Sequence, residues 1–75
     1  MPFIHIYAYS GRDLATKKKA AAAIVKTASE LLGAPESAFT VVYQDVEREA
    51  WDKEVEEAVM DPLRDKMLIH RGKLV

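Results

Sequence analysis

Apolar and polar residues alternate in two short segments of the chain, and they recur at helical spacing in the long segment between them. The first alternating run, Phe3–Tyr9, reads FIHIYAY and is rich in β-branched and aromatic residues, which predicts a strand. The second covers residues 38–46, AFTVVYQDV, and predicts another strand. Both faces of the first strand carry apolar or aromatic residues, so we expect that strand to be buried on both faces.

A long helix is predicted between the two strands. Gly11 breaks the first strand pattern, and Asp13 is suited to cap a helix that begins near Leu14. Gly33 and Pro35 mark its end, because glycine adopts the left-handed cap and proline cannot continue a helix. The apolar positions fall on one helical stripe that comprises Leu14, Ala21, Ile24, Val25, Ala28, Leu31 and Leu32.

The chain after residue 46 predicts a second helix over about residues 49–60 and a short strand or hairpin at its end. Pro62 either interrupts that helix or begins another turn, where proline is tolerated. The tail has apolar ends around Arg71-Gly72, which favours a hairpin or an arm on a partner subunit. The fold class is therefore α+β in one domain, residues 1–75: a β-α-β unit with parallel strands, then the C-terminal helix and strand or hairpin. The apolar stripe of that helix comprises Trp51, Val55, Ala58 and Val59.

The length of the chain limits the core that it can bury. A domain of 75 residues buries only about 60% of its unfolded surface. The absence of cysteine excludes disulfides and thiolate metal sites, and two histidines far apart in sequence make a weak case for zinc. Small domains otherwise gain stability from partner subunits, so we expect a homo-oligomer.

The charge balance disfavours polyanionic partners. Eleven basic and twelve acidic residues leave a formal net charge of -1, so neither nucleic acid nor a membrane is expected as a partner. The N-terminus lacks a secretory signal pattern and no apolar run approaches membrane-spanning length, so the expected location is the cytoplasm. The Lys17-Lys18-Lys19 run is expected to lie on a solvated helix face.

Pro2 is the residue with the most distinctive chemistry. It follows Met1, which is normally removed when the next residue is small, and a free N-terminal proline is a rigid secondary amine. An ordinary α-amino group has a pKa of about 7.7–8.0. Burial beside apolar walls and a nearby cation such as Arg12 would lower that pKa, which leaves a general base at neutral pH. Taken alone, however, Pro2 is more simply interpreted as the start of a strand.

Several segments together resemble one known family. Pro2-Phe3-Ile4-His5-Ile6, Ser10-Gly11-Arg12, the helix, Gly33-Ala34-Pro35 and the second strand are similar in order and spacing to the 4-oxalocrotonate tautomerase family, over about the first 50 residues. The resemblance implies a β-α-β tautomerase-like protomer that assembles into dimers or hexamers. It also implies an amino-terminal proline that moves a proton in small keto or enol acids. The longer C-terminal part looks like the PptA-type small tautomerases, which favours a dimer and enol substrates such as phenylenolpyruvate.

The resemblance implies a role for each of four residues. Pro2 falls on the catalytic base, and Arg12 falls on an arginine that binds a substrate carboxylate. Trp51 falls on an aromatic residue that walls the pocket. Thr40 stands where the family has a second arginine. A hydroxyl carries no charge and stabilises an enolate oxygen less well, which disfavours 4-oxalocrotonate itself as the substrate.

The function implied by the resemblance is that of an isomerase without metal or organic cofactor, which interconverts keto and enol forms or shifts a double bond in small enol or dienol carboxylic acids. Two alternatives remain open. In the first, Pro2 is protonated and acts as an acid in a hydratase- or dehalogenase-like reaction; in the second, the chain is a catalytically silent oligomeric binding protein. The other polar residues of the strands are expected to serve in ordinary strand packing; they are His5, Tyr7, Tyr9, Tyr43 and Gln44.

Overall fold

The computed structural model describes residues 1–75. The chain divides into two compact units, residues 1–45 and residues 46–75. The regular elements are strand β1 (Phe3–Tyr9), helix α1 (Leu14–Leu32), strand β2 (Thr40–Val46), helix α2 (Asp52–Met60), and the short strands β3 (Ile69–His70) and β4 (Lys73–Leu74). Turns of 3₁₀-helix cover Glu36–Ala38, Arg48–Ala50 and Asp61–Lys66. No helix is both long enough and apolar enough to cross a bilayer.

Strands β1 and β2 pair side by side and run in the same direction. The backbone N–H of Thr40 donates to the carbonyl oxygen of Pro2 at 3.1 Å. Further along the same pair, His5 of β1 places Nε2 2.9 Å from Oε1 of Gln44 in β2. Partners therefore advance together along both strands, and the predicted parallel β-α-β arrangement is confirmed.

Helix α1 lies against only one face of the two-stranded sheet. Val41 and Tyr43 of β2 line a groove together with residues of α1, and both are half-buried. Phe3 and Val42 belong to the opposite face and are exposed, Phe3 by 62%. The expectation that β1 is buried on both faces is therefore wrong for the single chain, because no element of this unit covers the second face.

The ends of helix α1 lie where the sequence predicts them. The side chain of Asp13 accepts a hydrogen bond from the backbone N–H of Thr16 at 2.8 Å, which caps the first turn. Gly33 has a φ of 69°, and its N–H donates to the carbonyl of Ser29 at 3.0 Å. The predicted apolar stripe is only partly covered, since Leu14, Ile24, Leu31 and Leu32 are exposed.

The Asp13 cap makes the stability of α1 depend on pH. Hydrogen bonding from Thr16, the side chain first and the backbone amide second, lowers the pKa of Asp13. The stabilisation from the ionised carboxylate is therefore complete above the unfolded pKa of about 3.9, and it is lost as the pH falls through the folded pKa. We expect Asp13→Ala to lower the urea midpoint at pH 7, as followed by circular dichroism.

The matched control is Asp13→Asn, which keeps a capping oxygen but does not titrate. Its urea midpoint should fall less between pH 7 and pH 3 than that of the unaltered chain. An equal fall in the two proteins would show that the cap does not contribute to the acid sensitivity.

The helix of the second unit has a wider winding than an α-helix. Helix α2 is a π-helix, and the N–H of Asp61 at its end donates to the carbonyl of Glu56, five residues earlier. This winding places Val55, which is 3% exposed, on the same side as the half-buried Met60, and it leaves Ala58 exposed. The predicted helix is thus confirmed in position, but Ala58 does not belong to its buried side. Pro62 lies in the first turn of the following 3₁₀ segment, Asp61–Lys66, which agrees with one of the two alternatives predicted for it.

Strands β3 and β4 form a hairpin that is joined by a turn of two residues, Arg71 and Gly72. Ile69 pairs with Leu74 and His70 pairs with Lys73 in antiparallel register. Arg71 and Gly72 have φ angles of 51° and 83°, and positive values at both positions are typical of the type I′ turn that matches the twist of a hairpin. The hairpin alternative is confirmed, and its use as an arm on a partner subunit stays a prediction.

Candidate active site

Pro2 and Thr40 lie together at one end of the parallel strand pair. Pro2 immediately precedes β1 and is half-buried, and its carbonyl oxygen accepts the hydrogen bond from the Thr40 N–H. Thr40 begins β2 and is exposed. Met1 extends into solvent and is 99% exposed. Two of the four residues predicted for the site are therefore neighbours.

Arg12 lies beyond the opposite end of β1. Its Nη1 atom donates to the carbonyl oxygen of Tyr9 and to the hydroxyl oxygen of Tyr43, each at 3.4 Å. A strand of seven residues separates Pro2 from Arg12, and such a strand spans roughly 20 Å. Pro2 and Arg12 of one chain therefore do not meet.

The guanidinium of Arg12 has no carboxylate partner. Asp13, its neighbour in sequence, caps helix α1. Asp45, at the end of β2, is paired with Lys17 at 2.5 Å between Oδ2 and Nζ. Both nearby acids are thus engaged elsewhere, and the charge of Arg12 is available to an anionic ligand.

Lys17 is not the solvated residue that the sequence predicts. Its side chain is only 18% exposed, and besides its ion pair with Asp45 it places Nζ 5.2 Å from the centre of the Tyr43 ring. The reason is that α1 crosses over the end of β2, so its first turn faces Asp45 and Tyr43 rather than water. The expectation of a solvated face is therefore wrong for Lys17, although Lys18 and Lys19 are exposed.

A groove of about 280 Å³ runs between α1 and β2 beside this cluster. It is lined by Leu14, Lys17, Lys18, Ala21, Val41 and Tyr43. Sequence reasoning assigned Tyr43 to strand packing and did not connect it with Arg12. Spacing along the chain gave no signal for this contact, because Tyr43 is the middle residue of β2 whereas Arg12 follows the carboxyl end of β1.

Trp51, the fourth predicted site residue, belongs to the second unit. It is half-buried, and it directly follows the 3₁₀ turn Arg48–Ala50 at the start of α2. Its assignment as a wall of the substrate pocket stays a prediction.

Comparison with known proteins gives one family. A model of the tautomerase enzymes matches residues 2–57, a segment that includes all four residues predicted for the site. No curated protein matches the chain. The matched segment is about three quarters of the 75 residues, and it contains the whole β-α-β unit from β1 to β2. The chain therefore belongs to the tautomerase family, a family of isomerases.

Proposed function

We propose that the protein is a cofactor-independent tautomerase of small enol or dienol carboxylic acids such as phenylenolpyruvate, in which the amine of Pro2 is the general base after Met1 is removed. One observation carries the proposal. Met1 is 99% exposed, so its removal costs no packing, and the hydrogen bond between the Pro2 carbonyl and Thr40 keeps the proline ring in place afterwards. The subtype closest to this chemistry is the PptA-type tautomerase.

The reaction is a proton transfer within one substrate molecule. The neutral amine of Pro2 takes the hydroxyl proton of the enol as the carbon–oxygen double bond forms. The resulting prolinium returns a proton to the adjacent carbon, which completes the keto acid. The Thr40 hydroxyl, beside Pro2, donates a hydrogen bond to the substrate oxygen.

Arg12 binds the substrate carboxylate. Its guanidinium is paired with no acid, and it is held by two neutral oxygens at 3.4 Å, the long end of the hydrogen-bond range. Its bonds to the protein are therefore weak enough to be exchanged for a carboxylate. A charged acceptor makes shorter and stronger hydrogen bonds than the neutral oxygens do.

Each active site is formed by two copies of the chain. Pro2 and Arg12 lie at opposite ends of β1, roughly 20 Å apart along the strand, and one small substrate cannot reach both in a single chain. Pro2 of one copy and Arg12 of another therefore serve the same substrate. The assembly that we favour is a dimer, and a hexamer satisfies the same requirement.

The surface of the chain suits such self-association. Val46 and Val55 are the only buried apolar residues, each 3% exposed, and no side chain is fully buried. Helix α1 presents an open apolar depression of about 520 Å³ that is lined by Ala23, Ile24, Thr27, Ala28 and Leu31. Exposed apolar surface of this kind is typical of interfaces between subunits.

The proposal is tested by ketonisation of phenylenolpyruvate across a pH range, with protein whose intact mass shows that Met1 is absent. A base must be unprotonated, so kcat/KM should fall about tenfold per pH unit below the pKa of the Pro2 amine. The opposite slope, with the rate rising as the pH falls, would favour Pro2 as an acid in hydratase- or dehalogenase-like chemistry. A rate equal to that of buffer alone would favour a catalytically silent binding protein.

A further inference from the structure

Tyr43 occupies an unusual position beside Arg12. Its hydroxyl oxygen accepts a hydrogen bond from Arg12 Nη1, and its ring lies on the α1 side of β2, where it is half-buried. The hydroxyl hydrogen of Tyr43 donates to no group of the protein. A solvent-accessible hydroxyl that is free to donate, next to a cation with no acid partner, is suited to a ligand that accepts hydrogen bonds.

We infer that Tyr43 is a second substrate-binding residue, which binds the same carboxylate as Arg12. This inference rests on the proposed function, in which Arg12 binds that group. A carboxylate has two oxygens, so one oxygen accepts from the guanidinium and the other accepts from the Tyr43 hydroxyl. Two donors fix the orientation of the carboxylate, whereas a single donor leaves it free to turn.

Lys17 and Asp45 hold the Tyr43 ring in this position. Lys17 Nζ lies 5.2 Å from the ring centre, at the distance of a cation–π contact, and it is tied to Asp45 at 2.5 Å. Because Asp45 neutralises Lys17, that lysine does not compete with Arg12 for the carboxylate. The pair therefore fixes the direction of the Tyr43 hydroxyl and leaves Arg12 as the charged donor.

The inference is tested by Tyr43→Phe in protein that lacks Met1. This change removes the Tyr43 hydroxyl, which is both the donor to the carboxylate and an acceptor for Arg12, and it keeps the ring on which Lys17 rests. We expect KM for phenylenolpyruvate to rise about 10- to 100-fold with little change in kcat, as the loss of one hydrogen bond to a charged group implies. A neutral enol without a carboxylate, the enol of phenylacetaldehyde, should be converted by the variant as well as by the unaltered protein.

The matched control is Tyr7→Phe. The Tyr7 ring stacks on His5 with centroids 4.2 Å apart, on the sheet face opposite Tyr43. We expect this variant to match the unaltered protein on both substrates. If Tyr43→Phe leaves KM unchanged, or slows both substrates equally, Tyr43 does not bind the carboxylate and the inference is overturned.

A binding measurement separates failure of the inference from failure of the proposed function. Phenylacetate carries the carboxylate but has no enol, so its affinity can be measured by calorimetry without turnover. Tyr43→Phe should weaken phenylacetate binding about 10- to 100-fold. Unchanged affinity would overturn the inference even in an active enzyme. A loss that persists when both proteins carry Arg12→Ala would support Tyr43 as a carboxylate ligand, even if the unaltered protein proved not to ketonise phenylenolpyruvate.

Discussion

Replacing Pro2 by alanine in the chain that lacks Met1 is expected to lower kcat/KM for phenylenolpyruvate ketonisation by about 100- to 10,000-fold, the range over which a positioned base contributes. The ring of proline holds its nitrogen rigidly, and the carbonyl bond to Thr40 orients that ring. Alanine leaves a primary amine that rotates freely. The measurement is the initial rate of keto acid formation at limiting substrate.

A chain that keeps Met1 provides the matched control. Its Pro2 nitrogen is a tertiary amide, which is neither basic nor nucleophilic, while the fold is unaffected because Met1 is 99% exposed. This form is expected to be as slow as Pro2→Ala, with an unchanged circular dichroism spectrum. Equal rates for the unaltered mature protein and Pro2→Ala would exclude the proposed role of the amine.

Replacing Arg12 by alanine is expected to lower kcat/KM for the same substrate by about 10- to 100-fold, which corresponds to the loss of a hydrogen bond to a charged group. A mixture of this variant with Pro2→Ala should regain activity, because the two residues of one site come from different chains. In a two-fold dimer, half of the mixed molecules are heterodimers and each has one complete site, so about a quarter of the unaltered rate returns.

The control for this mixing experiment is the double variant Pro2→Ala with Arg12→Ala. In a mixture of this double variant with Arg12→Ala, neither chain carries Arg12. No site is complete, so no activity should return. Native mass spectrometry establishes that the subunits exchange. If heterodimers form from the two single variants and remain as slow as their parents, the site is not shared between copies, and the proposed assembly is wrong.

The local elements follow from short-range physics, and the sequence predicts them well. Asp13 and Gly33 mark the ends of α1 because a carboxylate oxygen and a left-handed glycine satisfy backbone groups within one helical turn. The turn at Arg71-Gly72 depends in the same way on two neighbouring residues. Such features need no knowledge of distant parts of the chain.

Features that depend on packing were predicted less well. The wide winding of α2 and the exposure of Ala58 are set by which side chains the second unit buries around Val55. The burial of Lys17 depends on where α1 crosses β2, since a residue in the first turn of a helix is solvated unless another element comes close. A periodic pattern identifies an apolar stripe, but it does not say how much of that stripe is covered.

The sequence by itself determined the β-α-β order, the helix caps and the candidate chemistry of Pro2, Arg12, Thr40 and Trp51, because these depend on residue type and on spacing along the chain. Only the tertiary structure decided which of them meet. Parallel pairing puts Pro2 beside Thr40 at one end of the sheet, and the segment after β1 brings Arg12 to Tyr43 in the middle of β2. The physical reason is that strand direction and register set these distances, and neither is encoded in any single segment.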